Sequence, residues 1–286
     1  MFDLLSPLLD NNRESSIRVP TMPHLRTRFF HIISGATSCV GVALLGIGTA
    51  CAQAQTGTEE FPMRIEGDVG AGAYYTRSIV RGKTERASVL PYGYFDYGRM
   101  FARIDTMGVK TIKLGYGYLE VAGRVSLDGF KADAANLRGL TDRSNSIPLG
   151  IGTFQVTPVG AFFVNAFHDV NKSQGSLFEA IYAAEVATPR ATLYPQIGAE
   201  YLSKKYTGYY YGISAHEATA SQYSLYQPSG AFNPFLAALI DTTITEEVHL
   251  NFYWRHKWMA SSIQGSPIVG RKGMDTTVVA LTYRYK

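Results

Sequence analysis

Histidine–acid pairs are the residues of this chain most able to do acid–base chemistry. Beyond residue 60 the histidines are His168, His216, His249 and His256. His168 precedes Asp169 and His216 precedes Glu217, and a carboxylate beside an imidazole can orient a general base. His249 and His256 flank one predicted strand at an odd spacing, so they point to opposite faces and cannot share a site within it. We interpret the two pairs as polar groups at a strand end and in a loop.

Other catalytic signatures are missing from the sequence. No serine lies in a Gly-x-Ser-x-Gly elbow, and no His-Glu-x-x-His motif indicates zinc. Asp128, Asp133 and Asp142 share a predicted loop but lack the spacing of a calcium-binding loop. The two cysteines, Cys39 and Cys51, fall in the N-terminal segment described below. The sequence therefore predicts a non-enzymatic protein without a metal or cofactor.

Charged residues at alternate positions form a second candidate set. Arg64, Glu66 and Asp68 alternate with the apolar Ile65 and Val69, so a strand here has one charged face. In a closed membrane barrel that face lines the lumen. The candidate lumen charges are Arg64, Glu66, Asp68, Glu179, Glu185, Glu200, Arg255 and Arg284. They predict either the selectivity surface of a small channel or a cluster of neutralising ion pairs in a mostly filled lumen.

The elements that must position these charges are strands, because the period of two recurs along the chain. The 19 tyrosines and 28 glycines, with a mean hydropathy of -0.04, suit strands that are apolar on one face only. The expected strands are 64–75, 88–106, 111–126, 146–155, 157–168, 177–187, 191–203, 231–242, 246–259 and 274–285. The predicted fold is therefore all-β, a transmembrane antiparallel up-and-down barrel of about ten strands.

Loop lengths support this topology. Short connections, such as 107–110, alternate with long ones, so both chain ends are expected on the periplasmic side. A hairpin at 96–99 would split one strand, and a further strand at 206–213 would then give twelve. The longest loop, 204–230, carries six tyrosines that either anchor a partner at the surface or fold inward over the barrel mouth.

The N-terminal segment predicts export. Arg26 and Arg28 precede the uncharged stretch 32–50, and an Ala-Gln-Ala cleavage site ends at Ala54. We expect residues 1–54 to contain an extension and a signal peptide at 22–54, followed by the barrel domain at 55–286. The net charge of +4 is spread without a polybasic run, which argues against a nucleic-acid partner. The expected location is the outer membrane of a Gram-negative cell, with the barrel in contact with lipid.

Two motifs resemble those of the MipA/OmpV family of outer-membrane proteins. The stretch 210–218 is similar to the family's central motif, and 266–269 resembles its Ser-Pro-Ile-Val element. Further similarities, at 123–124 and 137–140, keep the family's order along the mature chain. The family often has an acid shortly before Ser-Pro-Ile-Val, where this chain has none. The candidate interaction residues carried over are Tyr210, Tyr211, Gly212, Glu217, Ser266 and Pro267.

The resemblance implies an outer-membrane protein with no established catalytic residues. It implies a scaffold that brings a lytic murein transglycosylase to a penicillin-binding protein, or else an osmotically regulated surface protein or adhesin. A narrow channel for small solutes is a further hypothesis from the charged strand faces. Short periplasmic turns would leave a scaffold little docking surface, so the stretch 55–63 and the barrel rim would have to supply its contacts.

Overall fold

Twelve antiparallel strands close into a barrel in the computed structural model, which describes residues 61–83 and 86–286. Each strand pairs with the next along the chain, and the last pairs with the first through a register that sets Asp68 opposite Arg284. A further two-residue strand, β9, is additional to these twelve. The strands are β1 Ile65–Thr76, β2 Arg86–Tyr97, β3 Met100–Arg103, β4 Thr106–Leu114, β5 Gly117–Arg124, β6 Pro148–Thr157, β7 Gly160–Asp169, β8 Ser176–Ala183, β9 Val186–Ala187, β10 Ala191–Leu202, β11 Ala231–Thr243, β12 Val248–Trp258 and β13 Gly273–Tyr285.

Short helices occupy the long connections. They are α1 Lys204–Tyr211, α2 Ala215–Ala220, α3 Ser261–Gln264 and a 3-10 turn at Ala135–Leu137. In the described part of the chain, none of the helices has the length and apolar character needed to cross a membrane. The predicted signal segment, 22–54, lies outside the described residues.

The all-β barrel predicted from the sequence is confirmed, and its strand number is the alternative of twelve rather than about ten. The predicted strand 88–106 contains a hairpin at Gly98, and the predicted strand 111–126 contains one at Gly115. Both glycines have φ near +57°, the left-handed conformation that tight hairpin turns require. The predicted turn at 107–110 is wrong because those residues lie within β4. The strand predicted at 206–213 is also wrong, since α1 occupies most of it.

The two faces of the wall differ as strand alternation requires. Outward positions hold exposed apolar side chains, including Val121, Ile151, Val164, Phe178, Ile197 and Leu281. Inward positions hold most of the buried polar side chains, including Asp68, Glu179, Glu200, Asn233, Asp241 and Lys257. This is the inverse of a soluble protein and matches a barrel that is solvated by lipid.

Connections of unequal length separate the two ends of the barrel. One end, the short-turn rim, has the turns 98–99, 115–116, 158–159, 184–190 and 244–247 and both ends of the barrel sequence. The other end carries the long connections 77–83, 125–147, 203–230 and 259–272, which we call the outer cap, and the shorter connections 104–105 and 170–175. The largest hydrophobic cluster lies there, with Leu137, Tyr206, Ile213, Ile263 and Ile268 at most 1% exposed. The cap is therefore a packed layer built by loops that are far apart in sequence.

Candidate functional site

The motif 210–218 joins α1 to α2 inside the outer cap. Ser214 caps α2, since its side chain accepts a hydrogen bond from the Glu217 amide and the Glu217 carboxylate accepts one from the Ser214 amide. This reciprocal arrangement satisfies two backbone donors that a helix start leaves free. Ile213 pairs through its backbone with Tyr226, which fixes the start of α2 against the end of the same loop.

Glu217 connects this loop to the connection 125–147. Its Oε1 accepts bonds from the Thr141 amide at 3.0 Å and from the Thr141 hydroxyl at 2.6 Å. Arg143 Nη2 lies 2.9 Å from the same carboxylate, and both side chains are buried. Burial by itself raises the pKa of the Glu217 carboxyl, but the bonds from Thr141 and Ser214 and the charge of Arg143 outweigh it and lower the pKa to about 2. Glu217 therefore stays ionised at neutral pH as a structural hub of the cap.

The tyrosines of the loop 204–230 fold inward. Tyr206, Tyr210 and Tyr211 are buried, and none of the six has a fully exposed side chain. The Tyr206 hydroxyl donates to Asp128 Oδ2 at 2.6 Å, and Tyr210 donates to the Ser144 carbonyl at 3.1 Å. Because all three rings are buried, they cannot anchor a surface partner unless the cap opens.

The second motif packs under the first. The Ser266 hydroxyl donates to the Tyr211 carbonyl at 2.6 Å, and Pro267 precedes the buried pair Ile268 and Val269. Gly212 lies at the end of α1, where an added Cβ would sit 2.3 Å from the Gly208 carbonyl oxygen. The structure therefore brings all six motif residues into one packed region of the outer cap.

Charged side chains cross the barrel interior below the cap. Arg124 on β5 donates to Glu179 on β8 at 2.6 Å, and Lys257 on β12 donates to Glu200 on β10 at 2.9 Å. These strands are not neighbours in the sheet, so the side chains can meet only through the interior. Near the short-turn rim Arg284 joins Asp68 to Asp241 at 2.6 and 2.7 Å, which links three strands.

Charges in the interior balance within the described part of the chain. Between the rims, inward strand positions carry as many cationic side chains as anionic ones. The cations are Arg103, Lys110, Arg124, Arg255, Lys257 and Arg284, and the anions are Asp68, Asp96, Glu120, Glu179, Glu200 and Asp241. Ten of these twelve charges are in ion pairs at 2.6 to 2.9 Å, which suits a filled lumen because buried charges need partners.

The remaining predicted lumen charges lie elsewhere or lack a partner. Arg64 and Glu66 pair with each other in solvent at the short-turn rim, at 3.1 Å. Glu185 is exposed in a connection outside the barrel strands. Arg255 points inward over the Phe235 ring at 5.4 Å, and in the described residues its Nε has no hydrogen-bond partner. The predicted set therefore divides between the interior and the rim.

The two histidine–acid pairs suggested by the sequence do not form acid–base pairs in the structure. Asp169 is buried and accepts bonds from the backbone amides of Asn171, Lys172 and Ser173, whereas His168 is exposed and contacts Ser176. His216 is exposed beside the buried Glu217. His249 bonds Asp241 in the interior at 2.7 Å, and His256 bonds Asp275 on the outer face. The described residues contain no group of three or more His, Cys, Asp or Glu side chains placed to hold a metal ion.

Sequence reasoning missed Arg143, the partner of Glu217, and the interior residues Lys257 and Asp241. The sequence Ser214-Ala-His-Glu217 has the spacing of a capping box and could have identified the start of α2. The alternation of β12 places Lys257 on the same face as Arg255, so it belonged to the candidate set by the same rule.

Comparisons with known proteins agree with this architecture. The family model described as MltA-interacting protein MipA matches residues 69–285. The putative outer membrane protein YiaT of Escherichia coli strain K12 is 24% identical over 221 residues, which cover 76% of this chain and 90% of that protein. The MltA-interacting protein of the same strain is 21% identical over 150 residues, covering 52% and 60%. Outer membrane protein OmpV of Vibrio cholerae is 28% identical over 158 residues, covering 54% and 61%.

These matches agree with the predicted resemblance and with the predicted location. The matched range takes in all the barrel strands except the first residues of β1. YiaT and OmpV are named as outer membrane proteins, and the wall of this barrel has the apolar exterior that an outer membrane requires. The chain is an outer-membrane β-barrel and belongs to the MltA-interacting protein (MipA) family.

Proposed function

We propose that this protein is a non-enzymatic support that holds murein enzymes at the inner surface of the outer membrane. The partners we infer are a lytic transglycosylase and a penicillin-binding protein. Family membership and the name of the E. coli MltA-interacting protein support the first partner. The second rests on the resemblance of the sequence motifs alone.

Exposed apolar side chains on the short-turn rim carry this proposal. Met63 precedes β1, and Tyr116, Val159 and Ile244 occupy three of the short turns. These four side chains, the rim cluster, are between 56% and 73% exposed. Turns that face water usually carry polar residues, and exposed apolar groups on them suit a protein interface. The rim cluster thus offers contacts where the short turns leave little other surface.

The interior geometry supports a non-enzymatic role. Asp169, beside His168, accepts bonds from backbone amides, and Glu217, beside His216, accepts one from a backbone amide and pairs with Arg143. Neither acid therefore orients its neighbouring histidine as a general base. The balanced ion pairs instead tie non-neighbouring strands together. A wall braced in this way suits a rigid platform for partner proteins.

A narrow channel is the second candidate, and Arg255 is the observation that favours it. An inward guanidinium without an ion-pair partner in the described residues could attract an anion. Conductance in a planar bilayer distinguishes the two candidates. A filled interior predicts no steady conductance, whereas a steady current that changes with Arg255→Gln would make the channel the primary function.

Co-purification from cell envelopes tests the proposed support role. The tagged protein is extracted in mild detergent and the lytic transglycosylase bound to it is measured. The test variant replaces Tyr116, Val159 and Ile244 with serine. Leu225→Ser is the matched control, because Leu225 is 53% exposed on the opposite end of the barrel. We expect the wild type and the control to retain the enzyme and the triple variant to lose most of it. Equal retention by all three would contradict the proposal.

A further inference from the structure

A cavity of about 530 Å³ opens beside α1 in the outer cap. Its size lies within the range of small-ligand sites. Arg143 and Glu217 line one part of it, and Tyr209 and Tyr226 line another. The cavity lies at the opposite end of the barrel from the rim cluster, so it is independent of the proposed support role.

Electrostatics in this cavity favour an anion. Lys204 and Lys205 line it, are exposed, and make no ion pair within the described part of the chain. The charge of Glu217 is already matched by Arg143 at 2.9 Å, so the two lysines give the cavity a net positive charge. They also lie in the first turn of α1, which has no acidic residue. Cations at a helix N-terminus are unfavourable, and an anion bound there would relieve that repulsion.

The other lining groups suit a sugar ring. A pyranose ring has a face of C–H groups and an edge of hydroxyls, so it binds to aromatic surface combined with polar donors and acceptors. Tyr209 and Tyr226 provide aromatic surface, and their hydroxyls are held by Ser144 and Ser262 at 3.1 and 2.7 Å. Gln227 lines the same cavity with an exposed amide side chain, which can donate to and accept from sugar hydroxyls.

Arg143 is a buried polar residue in the cavity wall. Its side chain is 93% buried and lines the cavity, and in the described residues its Nε has no hydrogen-bond partner. Its terminal nitrogens bond Thr141, Gly212 and Glu217, so Arg143 shapes the cavity wall and the two lysines supply the cations for a ligand. We propose that the cavity binds an anionic saccharide, a sugar that carries a phosphate or a carboxylate.

Two sources would supply this chemistry at the outer surface. One is the phosphorylated sugar of a glycolipid in the surrounding leaflet, and the other is a free sugar acid or sugar phosphate. Titration calorimetry of the intact barrel in detergent separates them, with purified lipopolysaccharide, glucose 6-phosphate and glucuronate as probes. Neutral glucose is the control for charge. We expect saturable binding of an anionic probe, and its identity names the source.

Gly208 allows the cavity to be filled without disturbing the fold. It lines the cavity, and an added Cβ there would meet no atom within 4 Å. We expect Gly208→Leu to abolish binding while the barrel keeps its heat-modifiable mobility. Lys204→Gln with Lys205→Gln should weaken binding by about tenfold, which corresponds to a loss of about 1.4 kcal/mol for the two exposed charged contacts together.

The matched control changes two exposed cations at the same end of the barrel, Arg138→Gln in the cap and Lys172→Gln in the connection 170–175, which do not line the cavity. These substitutions should leave binding within about twofold of wild type. The proposal fails if no anionic probe binds saturably to the wild type. It also fails if glucose binds as well as the anionic probes. It fails too if the lysine variant binds like the control. Either result would indicate a non-specific attraction to the surface.

Discussion

Replacing Glu217 with glutamine should open the outer cap without unfolding the barrel. The carboxylate accepts hydrogen bonds from Thr141 and Ser214 and pairs with Arg143. An amide in its place would keep the shape but would point an NH2 group toward these donors. The pKa of Glu217 is lowered from 4.5 to about 2, and a shift of this size corresponds to about 3 kcal/mol of stabilisation.

Hydrogen–deuterium exchange measures the loss of this stabilisation within the loop itself. Since about 3 kcal/mol is roughly a 100-fold change in an opening equilibrium, amides of the loop 203–230 should exchange about 100-fold faster in the variant. Exchange in the barrel strands should stay unchanged. Asp133→Asn is the control, because its ion pair with Lys83 is exposed and such pairs contribute little. Unchanged protection of the loop in the Glu217 variant would refute the role of this carboxylate.

The same carboxylate predicts a pH dependence. A carboxyl group with a lowered pKa in the folded state stabilises that state fully above its unfolded value, about 4.5, and loses the contribution as the pH falls toward 2. After correction for the intrinsic exchange rate, cap protection in the wild type should therefore fall between about pH 4.5 and pH 2. The Glu217→Gln variant should lack this pH-dependent component.

Three further predictions concern the barrel itself. Lys257→Met leaves Glu200 buried without its cation and should lower the thermal midpoint of heat modifiability, with a cost of about 3–5 kcal/mol, whereas adding Glu200→Gln should recover part of the loss. Gly70→Val should prevent closure of β1 on β13, because an added Cβ would lie 2.0 Å from the Leu281 carbonyl oxygen, and the folded band should vanish on unheated gels. Gly208→Ala should fold normally and gain up to about 1 kcal/mol, since alanine favours a helix over glycine. A folded Gly70→Val barrel, or a Lys257→Met barrel as stable as the wild type, would contradict the corresponding assignment.

Strand character and topology could be predicted because membrane strands impose a period of two. Alternating charges at Glu66 and Asp68 on one face and apolar residues on the other identify β1 without a partner strand. The even number of strands also follows from loop lengths, which place long connections at one end. These signals are local, and a single sequence contains them in full.

Strand number was harder to predict because two hairpins interrupt runs that look continuous. Gly98 and Gly115 take positive φ, yet the residues around them keep the composition of strands. The sequence shows where a glycine allows a turn but not which glycines turn. Strand pairing decides which glycines form turns. The strand β3 has only four residues and is held by β2 on one side and β4 on the other.

Contacts across the barrel depend on closure and could not be predicted. Asp68 and Arg284 meet only because the first strand pairs with the last at one particular register. Arg143 and Glu217 likewise come from separate loops that pack together over the barrel mouth. Such pairs become visible once the sheet is closed, so local patterns identify candidate charges but not their partners.

Binding of a purified lytic transglycosylase to the purified barrel tests the support role most directly, because co-purification from envelopes can be mediated by a third protein. Biolayer interferometry would be recorded in detergent with the wild type, the triple serine variant of the rim cluster and the Leu225→Ser control. We predict saturable binding to the wild type and the control, and its loss in the triple variant that still folds as a barrel. The absence of binding to the wild type, or equal binding to all three, would contradict the account.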